Sequence, residues 1–229
     1  MTNLINLSKK IPQTKQTLGY LPLYDLFFNE FKNKKINILE IGIDKGYSLK
    51  LWSKYFKKAK IAGIDINKID LKYQNVELFF GDQTDINFLS KIISKYKKFD
   101  IIIDDGSHVS KHIISSFNYL FEYLSNDGIY VIEDLVTSYW PRYGGSRINL
   151  LKKNTSVNMI KSFCDSINYE DYDRPFFKKN KYDGLIKQLS FFQNIAFIKK
   201  GKSIRYHYKK KPYLKFSDYI KKKLSLFFK

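Results

Sequence analysis

Phe99-Asp100-Ile101-Ile102-Ile103-Asp104-Asp105-Gly106-Ser107-His108 is an apolar run that ends abruptly in two carboxylates, with a histidine three positions beyond the second. A later run, Tyr130-Val131-Ile132-Glu133-Asp134, ends the same way. Short continuous apolar runs of this kind read as strands buried on both faces, the habit of parallel sheets covered by helices. Open sheets of that type bind ligands beyond the carboxyl ends of their strands. Four carboxylates delivered to one edge repel one another unless a cation sits among them. The two runs therefore predict a parallel α/β sheet with a metal site at its edge and a base beside it.

The flanking sequence repeats the pattern. Strands are predicted at 36–41, 61–64 and 76–80, and helices at 21–31 and 48–56. Phe88, Leu89, Ile92, Ile93 and Tyr96 recur at helical spacing before the strand at 100–103. A further helix carries Val109, Ile113, Phe117, Leu120, Phe121 and Leu124. Asn126-Asp127-Gly128 reads as the turn before a strand at 129–132. A helix at 157–167 and strands at 189–192 and 195–199 complete the pattern. Such alternation predicts a doubly wound, mostly parallel Rossmann-like sheet closed by an antiparallel pair. The chain has 229 residues, enough for one such domain, assigned to 1–202 with a lead and helix at 1–35. A basic amphipathic tail, 203–229, follows.

The formal charge of +19 invites a nucleic-acid partner, but only four of the 41 basic residues are arginine. Base readout and bidentate phosphate contacts favour arginine, and the lysines are scattered, so the charge reads as solvated surface. In the tail, Lys209-Lys210-Lys211 and Lys221-Lys222-Lys223 flank Phe216, Tyr219, Ile220, Leu224, Phe227 and Phe228. That stretch reads either as a terminal helix packed on the domain or a partner, or as one lying on an anionic membrane surface. One cysteine, Cys164, leaves no disulfide within the chain and is read as core. With no leader pattern and no membrane-length apolar run, the expected location is cytoplasmic, and the membrane reading of the tail would add the inner face of the membrane.

Strand one ends in Glu40-Ile41-Gly42-Ile43-Asp44-Lys45-Gly46. A dinucleotide site places glycine where Asp44 stands, and an anion there disfavours a pyrophosphate. A cationic, phosphate-free cofactor with an amino-acid tail suits Glu40 and Asp44, which describes S-adenosylmethionine. Gly42 and Gly46 give the tight turn, and Asp65 is placed to accept hydrogen bonds from ribose hydroxyls. Asp82 and Gln83, at the next strand end, join this wall. Asp104 is assigned to it as well, its alternative being an anion at the start of the following helix.

Asp105, Glu133 and Asp134 form an all-oxygen set suited to Mg²⁺, and His108 to a general base rather than a ligand. The plainer alternatives are a helix-capping His108 and a Glu133-Asp134 pair bound to surface lysines. Asp105-Gly106-Ser107-His108, Ile132-Glu133-Asp134, Thr137-Ser138-Tyr139-Trp140-Pro141 with Gly144-Gly145, and Gln193-Asn194-Ile195-Ala196-Phe197 resemble the metal-dependent macrolide-sugar O-methyltransferases of the mycinamicin type. The resemblance implies the class I methyltransferase fold, with Mg²⁺ on Asp105, Glu133 and Asp134 and His108 as base. It further implies that Glu40 and Asp65 hold the methionine and ribose parts of the cofactor, with Gln83 near adenine. Tyr139, Gly144 and Gly145 would border the acceptor. The lead departs from the family's Thr-Asp-Lys pattern, reading Thr14-Lys15-Gln16.

The expected activity is methylation of a hydroxyl on a sugar or glycoconjugate precursor, such as capsule or surface polysaccharide. Aromatic residues in 168–182 are expected to shape the acceptor pocket. A homo-oligomer is also considered. The alternatives are an RNA methyltransferase, suggested by charge alone, and a non-catalytic Rossmann-like binding protein.

Overall fold

The computed structural model describes residues 4–12, 14–171, 180–202 and 216–227. Helices α1 (Leu4–Ser8), α2 (Thr14–Thr17) and α3 (Leu21–Phe28) lead into strand β1 (Asn37–Ile41) and helix α4 (Tyr47–Tyr55). Then come β2 (Lys60–Asp65), β3 (Val76–Phe80), α5 (Ile86–Tyr96), β4 (Phe99–Asp104), α6 (Ser110–Leu120) and β5 (Leu124–Ile132). Helix α7 (Ser156–Ile167), strands β6 (Ile186–Phe192) and β7 (Ile195–Lys200) and helix α8 (Phe216–Phe227) follow. The sheet order is β3-β2-β1-β4-β5-β7-β6. The first five strands pair in parallel; β7 runs antiparallel to β5 and β6 antiparallel to β7.

Both faces of the sheet are buried, and alternate residues divide between them. Ile38, Ile101, Ile103, Ile129 and Val131 pack with α1, α3 and α4, around Trp52, Tyr24 and Phe28. Leu39, Ile102, Tyr130 and Ile132 pack with α5, α6 and α7, around Phe117 and Phe163. This two-residue alternation between two apolar layers is why the strands read as unbroken apolar runs. Helix α4 leaves β1 toward one face and α6 leaves β4 toward the other, so the topological switch lies between these neighbours, where Ile41 pairs with Asp104. A crevice opens there.

Several expectations are corrected. Asn126-Asp127-Gly128 lies inside β5 instead of preceding it. The β4–β5 register jumps from Phe99↔Leu124 to Ile101↔Ile129, and Asp127 has φ +65°, so the turn-forming residues make an irregular bulge. Helix α6 stops at Leu120, with a 3₁₀ turn over Phe121–Tyr123. Cys164 is exposed, because α7 turns Val157, Ile160, Phe163 and Ser166 inward. Tyr182 is no acceptor-pocket residue: it is buried against Phe117, Phe121 and Phe163. Lys209-Lys210-Lys211 and the aromatic residues Tyr172, Phe176 and Phe177 lie outside the described residues. No helix among the described residues is long and apolar enough to cross a membrane.

Candidate functional site

The crevice holds a cavity of about 910 Å³, walled by Gly42, Asp44, Asp65, Asp82, Gln83, Asp105, His108 and Asp134, with Pro12, Lys15 and Leu18 from the N-terminal segment. Its β1 side is a backbone turn. Gly42 has φ +82° and donates to the Ile64 carbonyl at 2.8 Å. A Cβ at Gly42 would collide with the Asp105 carbonyl, so only glycine fits. Asp65, at the end of β2, accepts from Ile43 N at 3.0 Å and Asp44 N at 3.2 Å through one oxygen, and from Asn67 N at 2.9 Å through the other. It therefore braces the turn as well as lining the cavity. Asp82 accepts from the Thr84 backbone and hydroxyl, both at 2.8 Å, and these bonds hold its carboxyl below the usual range.

Glu40 and Asp104 are also at strand ends but lie beneath the cavity rather than on its wall. Asp104 points to the α6 side, where its carboxylate accepts from the Ser116 hydroxyl at 2.7 Å, Gln83 Nε2 at 3.3 Å and the Tyr130 hydroxyl at 3.4 Å. Burial pushes its carboxyl up despite the donors from Ser116 and Gln83. Gln83 in turn accepts from Ser107 N at 2.9 Å, so Asp104 orients the loop that carries His108. Glu40 points the other way. One oxygen accepts from the Ser48 hydroxyl at 2.9 Å; the other has no hydrogen bond and lies 3.5 Å from Lys15 Nζ.

On the β4–β5 side, Asp105, His108 and Asp134 each bring a ligand atom within 4.8 Å of the others. His108 Nε2 is 3.7 Å from Asp134 Oδ2, and the His108 carbonyl accepts from the Thr137 hydroxyl at 3.0 Å. Asp134 Oδ1 accepts from the Tyr20 hydroxyl at 2.8 Å and Asn194 Nδ2 at 3.0 Å. Glu133 is drawn away from this trio. It is buried, and its Oε1 accepts from Lys15 Nζ at 2.5 Å and from the Tyr24 hydroxyl. Burial, reinforced by the Asp105 charge, pushes the Glu133 carboxyl up to about 8. Burial alone would lower the Lys15 ammonium, but Asp105, Glu133 and Glu40 outweigh it and hold it well above the lysine range.

The structure thus brings together Gly42, Asp44, Gly46's turn, Asp65, Asp82, Gln83, Asp105, His108 and Asp134. Tyr139, Gly144 and Gly145 stand apart from the cavity wall. Tyr139 closes a 3₁₀ turn (Leu135–Tyr139) and packs on the core, and Gly145 N is tied to the Trp140 carbonyl at 3.0 Å. Lys15, Tyr20, Tyr24, Ser116 and Asn194 were missed. The four-residue spacing of Tyr20 and Tyr24 puts them on one helix face, and Asn194 and Lys15 stand in stretches compared with the family, but none of these signals gave them a task.

The donor set fits a hard divalent cation through Asp105 and Asp134, which lie within reach of one ion. The cavity wall fits a cationic nucleoside cofactor, since Asp44, Asp65, Asp82, Asp105 and Asp134 line it and would repel a pyrophosphate.

Strand order, two-sided helical cover and a ligand crevice at the first switch point define a class I methyltransferase fold. Comparison with known proteins places the chain more closely. It is 37% identical over 191 residues to demethylmacrocin O-methyltransferase of Streptomyces fradiae and 35% identical over 193 residues to mycinamicin VI 2''-O-methyltransferase of Micromonospora griseorubida; each match takes in 80% of this chain. The chain spans about half the length of these curated relatives, 48% of each. Among solved structures, MycE methyltransferase from the mycinamycin biosynthetic pathway, in complex with Mg and SAH, superposes with a TM-score of 0.83 at 33% identity. That match covers 88% of this chain and 55% of MycE. No protein-family model matches the chain. The chain thus has a class I methyltransferase fold and is similar over most of its length to these O-methyltransferases.

Proposed function

We propose that this chain is an S-adenosylmethionine-dependent, Mg²⁺-assisted O-methyltransferase that methylates a hydroxyl of a sugar or glycoconjugate precursor. The observation that carries the reading is the meeting of Asp105, His108 and Asp134 within 4.8 Å on the wall of a cavity that the β1 turn and Asp65 also line. The relatives' names support it, among them an alpha-L-rhamnosyl tetracenomycin-C 2'-O-methyltransferase and an L-olivosyl-oleandolide 3-O-methyltransferase, and one MycE complex contains Mg, SAH and mycinamycin VI.

S-adenosylmethionine supplies an electrophilic methyl group on a sulfonium, and a divalent cation lowers the pKa of a bound hydroxyl. The chain's own part is positioning and proton transfer. Asp105, Asp134 and Glu133 would hold the cation, Glu133 once it is released from Lys15. His108, whose Nε2 lies 3.7 Å from Asp134 Oδ2, would take the acceptor's proton. Asp65 and the Gly42–Gly46 turn bind the ribose and amino-acid parts, and Gln83 the base. Glu40 and Asp104 act through neighbours as positioning residues. We place the enzyme in the cytoplasm; a place for α8 against the inner face of the membrane is supported by the exposure of Ile220, Leu224 and Leu226 on a helix that also exposes Lys221 and Lys223.

The test is calorimetry of S-adenosylmethionine with the purified protein, in Mg²⁺ and in chelator, followed by an acceptor screen on sugars and glycoconjugate precursors. Cofactor binding in both, with metal binding lost in Asp105→Ala, supports the reading. Absence of cofactor binding in both conditions overturns it.

A further inference from the structure

One short stretch of the N-terminal segment grips all three acids assigned to the cation. Lys15 Nζ lies 2.6 Å from Asp105 Oδ2 and 2.5 Å from Glu133 Oε1. The Tyr24 hydroxyl donates to Glu133 and the Tyr20 hydroxyl to Asp134. Lys15 is 2% exposed, and Glu40 lies 3.5 Å from its ammonium on a further side. Lysine is seldom buried so fully unless its charge is matched, and here three carboxylates converge on one ammonium. The same segment walls the cavity, through Pro12, Lys15 and Leu18.

Resting on the metal reading above, we propose that Lys15 is an internal cation that competes with the divalent ion for Asp105 and Glu133. In the metal-free protein it bonds Asp105 and Glu133 and docks α2 over the cavity. When a divalent cation takes the site, Lys15 gives up these oxygens, and the stretch around α2 loosens from the cavity wall. Ion binding and docking of this segment are then two sides of one equilibrium. By linkage, whatever weakens the lysine's hold must tighten the ion's.

The experiment measures amide hydrogen exchange on the full wild-type chain with and without Mg²⁺, with calorimetry of Mg²⁺ alone on wild type and Lys15→Met. Mg²⁺ should speed exchange at 14–18, and Lys15→Met should bind Mg²⁺ at least about tenfold more tightly, since a neighbouring positive charge is gone. Exchange at 14–18 that is slowed or unchanged while Mg²⁺ binds overturns the proposal, as does equal or weaker Mg²⁺ binding by Lys15→Met. Should Lys15→Met fail to fold, the wild-type exchange measurement decides alone. Mg²⁺ binding by neither protein overturns the metal reading itself, and this inference with it.

Discussion

His108 and Asp134 meet across two left-handed backbone positions: their φ angles are +56° and +53°, and His108 Nε2 lies 3.7 Å from Asp134 Oδ2. Each such conformation costs a residue other than glycine about 1–3 kcal/mol, and strain of this kind collects at functional sites. The two loops after β4 and β5 accept it to aim an imidazole and a carboxylate at one point.

Substituting His108→Gly should relieve one of these strained positions, by about 1 kcal/mol, and raise the thermal midpoint by about 2–4 °C while removing turnover. His108→Ala keeps the strain and should lower kcat by about 10²–10⁴ with cofactor affinity unchanged in calorimetry. An Ala variant turning over at near wild-type rate would remove the base assignment.

The metal-free protein should lose stability as pH rises from about 5 to 8. Burial and the Asp105 charge raise the Glu133 carboxyl to about 8, so the folded chain keeps a proton that the unfolded chain releases. That contribution is complete below the ordinary glutamate range and disappears as pH climbs through the raised value. Thermal midpoints in chelator across this window check it, and Glu133→Gln should flatten the slope. A midpoint that rises with pH would contradict the burial argument.

Cys164 should react at once with a thiol reagent in the native protein, since it is exposed on α7. Cys164→Ser should shift stability by no more than about 0.5 kcal/mol, the usual range for surface changes. Labelling only after denaturation would mean that α7 is rotated from its observed packing.

If α8 rests on an anionic membrane, the protein should co-sediment with phosphatidylserine-containing vesicles, release at high salt and ignore neutral vesicles. Lys221→Glu with Lys223→Glu should abolish sedimentation without affecting cofactor binding. Equal binding to neutral vesicles would argue against the electrostatic part.

The sheet was readable because its signal is redundant. Ile101–Ile103 and Tyr130–Ile132 are apolar on both faces, and each ends in acids, so strand, burial and site edge come from the same letters. Asp105, His108 and Asp134 followed from that edge. What could not be read is what depends on distant partners. Asn126-Asp127-Gly128 carries turn chemistry, but Asp127's pairing with Lys187 and the ladder to β4 draw it into a strand. Cys164 shares a helix with core residues yet falls one residue past Phe163, on the outward side. Lys15 looks like any other lysine in a lysine-rich chain; its 118-residue reach to Glu133 exists only in three dimensions. Asp104 and Glu40 ended strands as expected, but alternation sends their side chains under the cavity toward Ser116 and Ser48.

The turn after β1 leaves no room between Gly42 and the Asp105 carbonyl, and Asp105 N also bonds to the Ile41 carbonyl at 2.9 Å. The half of the crevice suited to a nucleoside and the half that bears the acids are therefore joined by main chain at this point, and the Gln83 side chain adds a bond from Ser107 N. Substitutions in the loops around the crevice can then alter what its walls contact without moving the turn after β1 away from the strand end that carries Asp105.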